Sequence, residues 1–404
     1  MPEVLNVLLG AGASCAYNFP TSDELTGIVL DGEGFRRNTL SEYDRGMPID
    51  IRHDRCPHVL EITRFLSLLC EDARVAFNGL REPNYEDIYH LALTIYDFLS
   101  GEYPYADSRA FVEKLRPLLS LLVHELSRKT SLDMTLKQFV WEALTYIECV
   151  VCVEINERTG NLRDPINHLS FLVDGVQSEQ LKRINVFTLN HDTLIEQFWE
   201  QHNIEFTDGF GNVDGDLRKL NPVAYDNATR KLNLYKLHGS INWYRLRPEA
   251  EGSWYNEVIA IPVNGDVWHA TDATGVSFHP LPANHGMSHP MILVGSENKL
   301  RDYNGGVWIE LQHRFRQSLF QSNHLIISGY SFADKGINNR IIEWVYRSRD
   351  NKIIVIHPNP DELHHGALGA ISNKWEMWLN SDTLRLIEMP IERCTWNDIE
   401  QRLA

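Results

Sequence analysis

Short apolar runs that end abruptly in polar clusters recur along this chain, and they set its architecture. Val4–Leu9 (VLNVLL) reads as a buried strand running straight into Gly10-Ala11-Gly12-Ala13-Ser14. Ile184-Asn-Val-Phe-Thr188 is a second such strand, ending in Leu189-Asn190-His191-Asp192, and Leu232–Leu237 is a third, ending in His238-Gly239-Ser240. Further strands are predicted over Met291–Val294, His324–Ser328 and Lys352–Ile356, ending in Gly295-Ser296, Gly329-Tyr330-Ser331 and His357-Pro358-Asn359. Helical spacing marks Thr193–Phe198, Val307–Gln321 and Ile337–Arg347 between them. Strands alternating with helices, each strand closed by Gly, Ser, Asp or Asn, predict a parallel α/β sheet with ligand contacts along its carboxyl edge.

Between the first strand and the second the pattern is helical. Val59, Ile62, Phe65, Leu66 and Leu69 recur at helical spacing, and Asn84 with Asp87 opens a helix before Ile88, Leu91 and Ile95. Phe111–Ser127, interrupted at Pro117, and Leu136–Val153 follow. This block is expected to be a large, mostly α-helical insertion over 51–175, inside a Rossmann-like domain made of 1–50 and 176–404 with helices on both sheet faces. Residues 27–58, 209–227 and 241–290 show little periodicity and read as loop.

The net charge of −17 opposes a chain built to grip phosphate backbones, so no direct nucleic-acid binding is expected. No apolar run approaches the roughly 20 residues of a membrane helix, and the amino terminus is no signal peptide. Six scattered cysteines fit a reducing cytoplasm. Cys149-Val-Val-Cys152 could be a metal knuckle or redox pair, but its apolar helical surroundings favour core packing. His279, His285 and His289 lack a carboxylate or cysteine pattern beside them, so no metal site is expected there. The Gly10-Ala-Gly12 turn is only part of a dinucleotide fingerprint, because Cys15 holds the third glycine position.

Together, Gly10–Ser14, Thr188-Leu-Asn190-His-Asp192, Lys236-Leu-His238-Gly-Ser240, Ser328-Gly329-Tyr-Ser331 and Ile356-His-Pro-Asn359 resemble the sirtuin-type NAD-binding domain, in that family's order. The resemblance implies Asn190 and His238 as catalytic residues, with His238 the base and Asp192 beside Asn190 at the nicotinamide ribose. It implies Gly10, Ala11, Gly12 and Ser14 at the pyrophosphate, and Gly329, Ser331 and Asn359 at the adenosine side, with Gly239 also in the binding set. The chain departs from sirtuin deacylases in lacking their four-cysteine zinc ribbon, since no cysteine falls between His238 and Cys394; no zinc is therefore expected. It resembles instead the bacterial sirtuin-like NAD-hydrolysing effectors of antiphage defence and, at this size, those paired with a HerA-type hexameric ATPase. The expected activity is NAD+ glycohydrolysis by a cytoplasmic homo-oligomer that takes NAD+ as substrate. The alternatives are a zinc-free NAD-dependent deacylase or ADP-ribosyltransferase, and a non-catalytic NAD or ADP-ribose sensor.

Overall fold

The computed structural model describes residues 3–38, 42–45, 56–102, 105–160, 162, 166–226, 231–249, 256–281, 290–296 and 298–403. The chain opens with β1 (Val4–Leu9), and the glycine turn is followed by two short 3-10 turns rather than by a helix. Helix α1 (Ser22–Asp31) begins only at a capping box between Thr21 and Glu24. A hairpin, β2 (Phe35–Arg37) with β3 (Tyr43–Arg45), replaces part of the expected loop. Its stabilising partners lie far along the chain. Arg37 forks onto Glu142 at 2.6–3.0 Å, and the Tyr43 hydroxyl donates to the same carboxylate.

Four long helices then form the block: α2 (Pro57–Phe77), α3 (Tyr85–Ser100), α4 (Ala106–Thr130) and α5 (Leu136–Gly160). The expected break at Pro117 does not occur. Proline removes one helical hydrogen bond, at a cost of about 3 kcal/mol, but Leu115, Leu119, Leu122 and Leu126 hold α4 together by packing into the shared core. Cys149 is buried, accepts from the Tyr43 amide, and has its thiol pushed up to about 12 by burial; Cys152 packs beside the same core, so the pair serves as apolar filling.

The chain returns through α6 (Ser170–Gln177), β4 (Arg183–Thr188), α7 (Leu194–Gln201) and a short edge strand β5 (Phe206–Thr207). Next come β6 (Phe210–Asp214), β7 (Leu217–Leu220), β8 (Leu232–Lys236), β9 (Tyr244–Pro248), β10 (Val258–Pro262) and β11 (Phe278–Pro280). The remainder is α8 (Lys299–Asp302), α9 (Gly306–Phe320), β12 (His324–Ser328), α10 (Lys335–Val345) and β13 (Lys352–Ile356). After it come α11 (Pro360–Gly366), α12 (Gly369–Ser372), α13 (Trp375–Asn380), β14 (Leu384–Ile387) and α14 (Trp396–Leu403).

The main sheet is parallel throughout, in the order β14-β13-β12-β1-β4-β8-β5. Leaving out the edge strand β5, this is the doubly wound Rossmann order 3-2-1-4-5-6, with the reversal between β1 and β12. On one face Leu5, Val7 and Leu9 join the core shared with the helical block, and on the other Leu8, Phe187, Leu325 and Ile327 pack under α9 and α10. Three adjacent strands carry buried asparagines in one register, Asn6, Asn185 and Asn233, linked by side-chain bonds of 3.1 Å each, and Asn6 donates on to the Ser318 carbonyl of α9. A one-residue slip would break every link of that ladder, so it fixes the strand register.

Two stretches read as loop are sheet. β6 and β7 pair with β9, β10 and β11 in an antiparallel sheet around Leu217, Leu246, Ala260 and Phe278, a core too small to impose a strong pattern on the sequence. Conversely, 291–294 is not a strand of the main sheet. It lies against the chain beyond β8, where the Ser240 amide donates to Met291 O, the Leu293 amide to His238 O, and Gly239 bridges Ile292. No helix among the described residues is long and apolar enough to cross a membrane.

Candidate functional site

The reversal of strand order brings two loops into backbone contact. The Gly10 amide donates to Ser328 O at 3.0 Å and the Gly12 amide to Gly329 O at 2.9 Å. A Cβ on Gly10 would lie 2.5 Å from Gly329 O, and one on Gly12 2.8 Å from Gly329 Cα, so only glycine permits this approach. Beside the junction opens a cavity of about 570 Å³, lined by Gly10, Ala11, Gly12, Ser14, Asn190, Asp192, His238, Gly329 and Ser331 among others. Of the residues expected from the sequence, Gly239 and Asn359 do not line it. Gly239 turns the chain at φ +82 against Met291 O. Asn359 caps α11, its side chain bonded to both the Glu362 amide and its carboxylate, while His357 and Pro358 line the cavity instead.

One wall is an amide relay. Asn190 Nδ2 donates to Gly10 O at 3.1 Å and to Ser14 Oγ at 2.9 Å, and Ser14 Oγ then donates to Asp192 Oδ2 at 2.9 Å. Both amide hydrogens are thereby committed, so Asn190 presents its Oδ1, which is buried and unpartnered, purely as an acceptor. Asp192 is fixed in turn by the Leu194 amide at 3.0 Å, and buried Lys236 holds the Asp192 carbonyl while pairing with Glu196 at 2.9 Å.

The facing wall is built around His238. Its Nε2 lies 2.6 Å from Tyr303 Oη and 3.3 Å from Asp334 Oδ2, and Tyr303 Oη donates to Asp334 Oδ2 at 2.6 Å. The tyrosine proton is spent on the carboxylate, so Nε2 must carry the imidazole proton and Nδ1 is left as the basic nitrogen. Burial lowers the His238 pKa, aided by Lys299 and opposed by Asp334, which keeps the ring neutral near pH 7. Burial would raise the Asp334 pKa, yet its bonds to His238 and Tyr303 and the charge of Lys299 hold it well below the usual carboxylate range. Asp334 is itself fixed as the cap of α10 through the Ile337 amide at 2.9 Å.

The helical block supplies a third wall. Asn84, Tyr85 and Glu86, at the amino end of α3, line the cavity, and Glu86 Oε1 receives Lys299 Nζ at 2.7 Å. The Lys299 side chain is only 5% exposed, so a buried cation depends on the block for its counter-charge. Tyr303, Asp334, Lys299 and Glu86 were not assigned roles from sequence. Asp334 had a legible signal, a polar residue between a strand end and a helix; the other three had none. Among the described residues no group of three or more His, Cys, Asp or Glu is placed to hold a metal ion, and His285 and His289 lie outside the described residues.

No curated protein matches the chain. Among solved structures, a Sir2 homologue in complex with NAD is 12% identical with a TM-score of 0.38, covering 99% of this chain and 89% of that one. A mutant Sir2 homologue in complex with 2'-O-acetyl ADP-ribose is 11% identical with a TM-score of 0.36, over 99% and 92%. A structure concerned with sirtuin substrate affinity is also 11% identical, with a TM-score of 0.37, over 98% and 93%. Residues 184–379, from the start of β4 into α13, match the family model described as the SIR2-like domain.

Proposed function

We propose that the protein is an NAD+ glycohydrolase, releasing nicotinamide and ADP-ribose. The observation that carries this reading is the single cavity at the β1/β12 reversal, where a glycine junction, the Asn190 acceptor and a neutral His238 base meet. The SIR2-like match over 184–379 supports it by including Asn190, Asp192, His238, Tyr303 and Asp334. In this reading the glycine turn at Gly10, Ala11 and Gly12, with Ser14, lies against the pyrophosphate, its missing Cβ atoms allowing the close approach, while Gly329 and Ser331 hold the adenosine side. Asp192 lies at the nicotinamide ribose.

The bond from ribose C1′ to nicotinamide breaks with its electron pair passing to the pyridinium ring, which leaves neutral. Positive charge grows on the ribose, and the Asn190 Oδ1 dipole and the Asp192 carboxylate face it. Water adds to C1′, its proton going to His238 Nδ1, and Asp334 stabilises the imidazolium that forms. Asn190 and His238 are thus the proposed catalytic residues.

The division into a catalytic part (1–50 and 176–404) and a helical insertion (51–175) belongs to the same proposal. So does the biological setting: an antiphage effector acting by NAD+ depletion, assembled as a homo-oligomer and partnered by a HerA-type ATPase. Control by assembly suits an activity that harms its own cell. Light scattering tests the assembly, and a monomer at micromolar concentration, alone and with that ATPase, would count against it. Chromatography of NAD+ incubated with the purified protein tests the activity. Nicotinamide release without any acyl peptide is expected; release only alongside acyl loss would make it a deacylase, and tight NAD+ binding without release would make it a sensor.

A further inference from the structure

A second cavity, of about 310 Å³, shares no lining residue with the first. Tyr303 joins the two: its ring lines the second cavity, while its hydroxyl bonds His238 and Asp334, which line the first. Across that ring lies Arg340, its guanidinium carbon 5.7 Å from the ring centroid. The ring is packed so tightly on α10 that a Cβ at Gly336 would fall 2.6 Å from it, and Arg340 donates to the Gly336 carbonyl at 3.0 Å.

The groups facing this cavity are incompletely satisfied. Among the described residues Arg340 has no carboxylate partner, and its Nε is buried without an acceptor. The nearest acid on its own helix, Glu343, is taken by Arg316 through a two-pronged bond. Burial lowers the Arg340 pKa, with only partial compensation from Tyr303, Asp334 and Glu343. Gln312, 2% exposed, also lines the cavity, and neither its amide nitrogen nor its amide oxygen has a partner among the described residues. A part-buried guanidinium and a buried amide each cost free energy while unpaired, and an arginine fork is shaped to receive an oxyanion. Two independent orphans at one concavity are better explained by a ligand than by packing.

We propose that this second cavity binds a small molecule bearing a carboxylate or phosphate, held by the Arg340 fork with the Gln312 amide as a further contact and Arg316 at its side. An anion that draws Arg340 off the ring acts on the tyrosine bonded to His238, so the site stands one residue from the candidate base.

Inorganic phosphate and malonate are the probes, titrated separately by calorimetry at low salt, with ADP-ribose absent and then saturating. The two arms tell a phosphate site from a carboxylate site. At least one anion should bind with millimolar or better affinity under both conditions, because the two cavities are separate. Arg340→Gln should weaken that binding at least tenfold, Arg340→Lys should weaken it less, and Gln312→Leu should weaken it severalfold. Melting temperatures without anion identify any variant that fails to fold, and Arg340→Lys then decides. Failure of ADP-ribose to bind would count against the NAD+ reading alone, since the anion titration does not depend on it. Binding that is unaffected by both Arg340 variants, binding abolished by Ser14→Ala, or no binding of either anion would overturn the proposal.

Discussion

The two facing walls of the main cavity solve the same problem with different chemistry. The Asn190 wall is a relay of short polar side chains, Asn190 to Ser14 to Asp192, whose members all sit in or beside strand-end motifs of β1 and β4. The His238 wall depends on Tyr303 and Asp334, which arrive from beyond α8 and from the start of α10, and on Lys299, which is held by Glu86 of the helical block. The first wall is local to its motifs and fixes orientation through neutral donors. The second is assembled over long sequence distances and sets a protonation state. Orientation is therefore expected to tolerate trimming better than proton transfer does.

The largest expected effect follows from removing the base. His238→Gln should slow nicotinamide release roughly 10²-fold or more while the melting temperature stays within a few degrees, because the residue faces a cavity rather than the packed core. Next comes Asp334→Asn, with a loss of roughly tenfold or more. The carboxylate raises the His238 pKa, so its removal should also move the acid limb of the pH–rate profile to lower pH. In the parent protein that limb falls below the ordinary histidine value of about 6.5, since the active form is neutral and the pKa is lowered. A rate that rises as pH falls through 6 would contradict the assignment.

Ser14→Ala tests the other wall. It deletes the bonds to Asn190 and to Asp192, together worth about 2 kcal/mol, so ADP-ribose affinity should fall by roughly tenfold to thirtyfold. A loss as large as that of His238→Gln would erase the distinction between the walls. Glu86→Gln should act mainly on stability, because it leaves Lys299 buried without its counter-charge. A melting temperature lower by a few degrees is expected, from a cost of about 1 kcal/mol or more.

The smallest effect lies outside both walls. Buried His168 has its pKa lowered to about 4 by desolvation, whereas unfolded histidine titrates near 6.5. Its contribution is fully present above 6.5 and is lost as pH falls toward 4, because the unfolded chain then binds the extra proton. His168→Gln should flatten the fall in melting temperature across that window, and an unchanged pH slope would count against it.

The same contrast explains what was legible in the sequence. β1, β4, β8, β12 and β13 were readable because parallel strands buried on both faces are continuous apolar runs with a polar stop. Asn190, Asp192 and His238 were readable because they are those stops. The hairpin at Phe35–Arg45 was not, because Glu142 of α5 holds it. The antiparallel sheet was not, because its core is a handful of residues. Met291–Val294 has a strand's composition but pairs with the chain beyond β8 instead of entering the main sheet. Tyr303 and Lys299 owe their positions to tertiary packing, and nothing in their neighbours along the chain announces it.

The central claim is that both walls act on one bond of one ligand. A double-mutant cycle on nicotinamide release, comparing the parent with Asn190→Ala, His238→Gln and the double variant, tests it most directly. Residues that act as a unit are strongly non-additive, so the double variant should be no more than a few-fold slower than the slower single variant. A double variant slowed by the full product of the two single effects, or an Asn190→Ala protein that releases nicotinamide at the parent rate, would contradict the account.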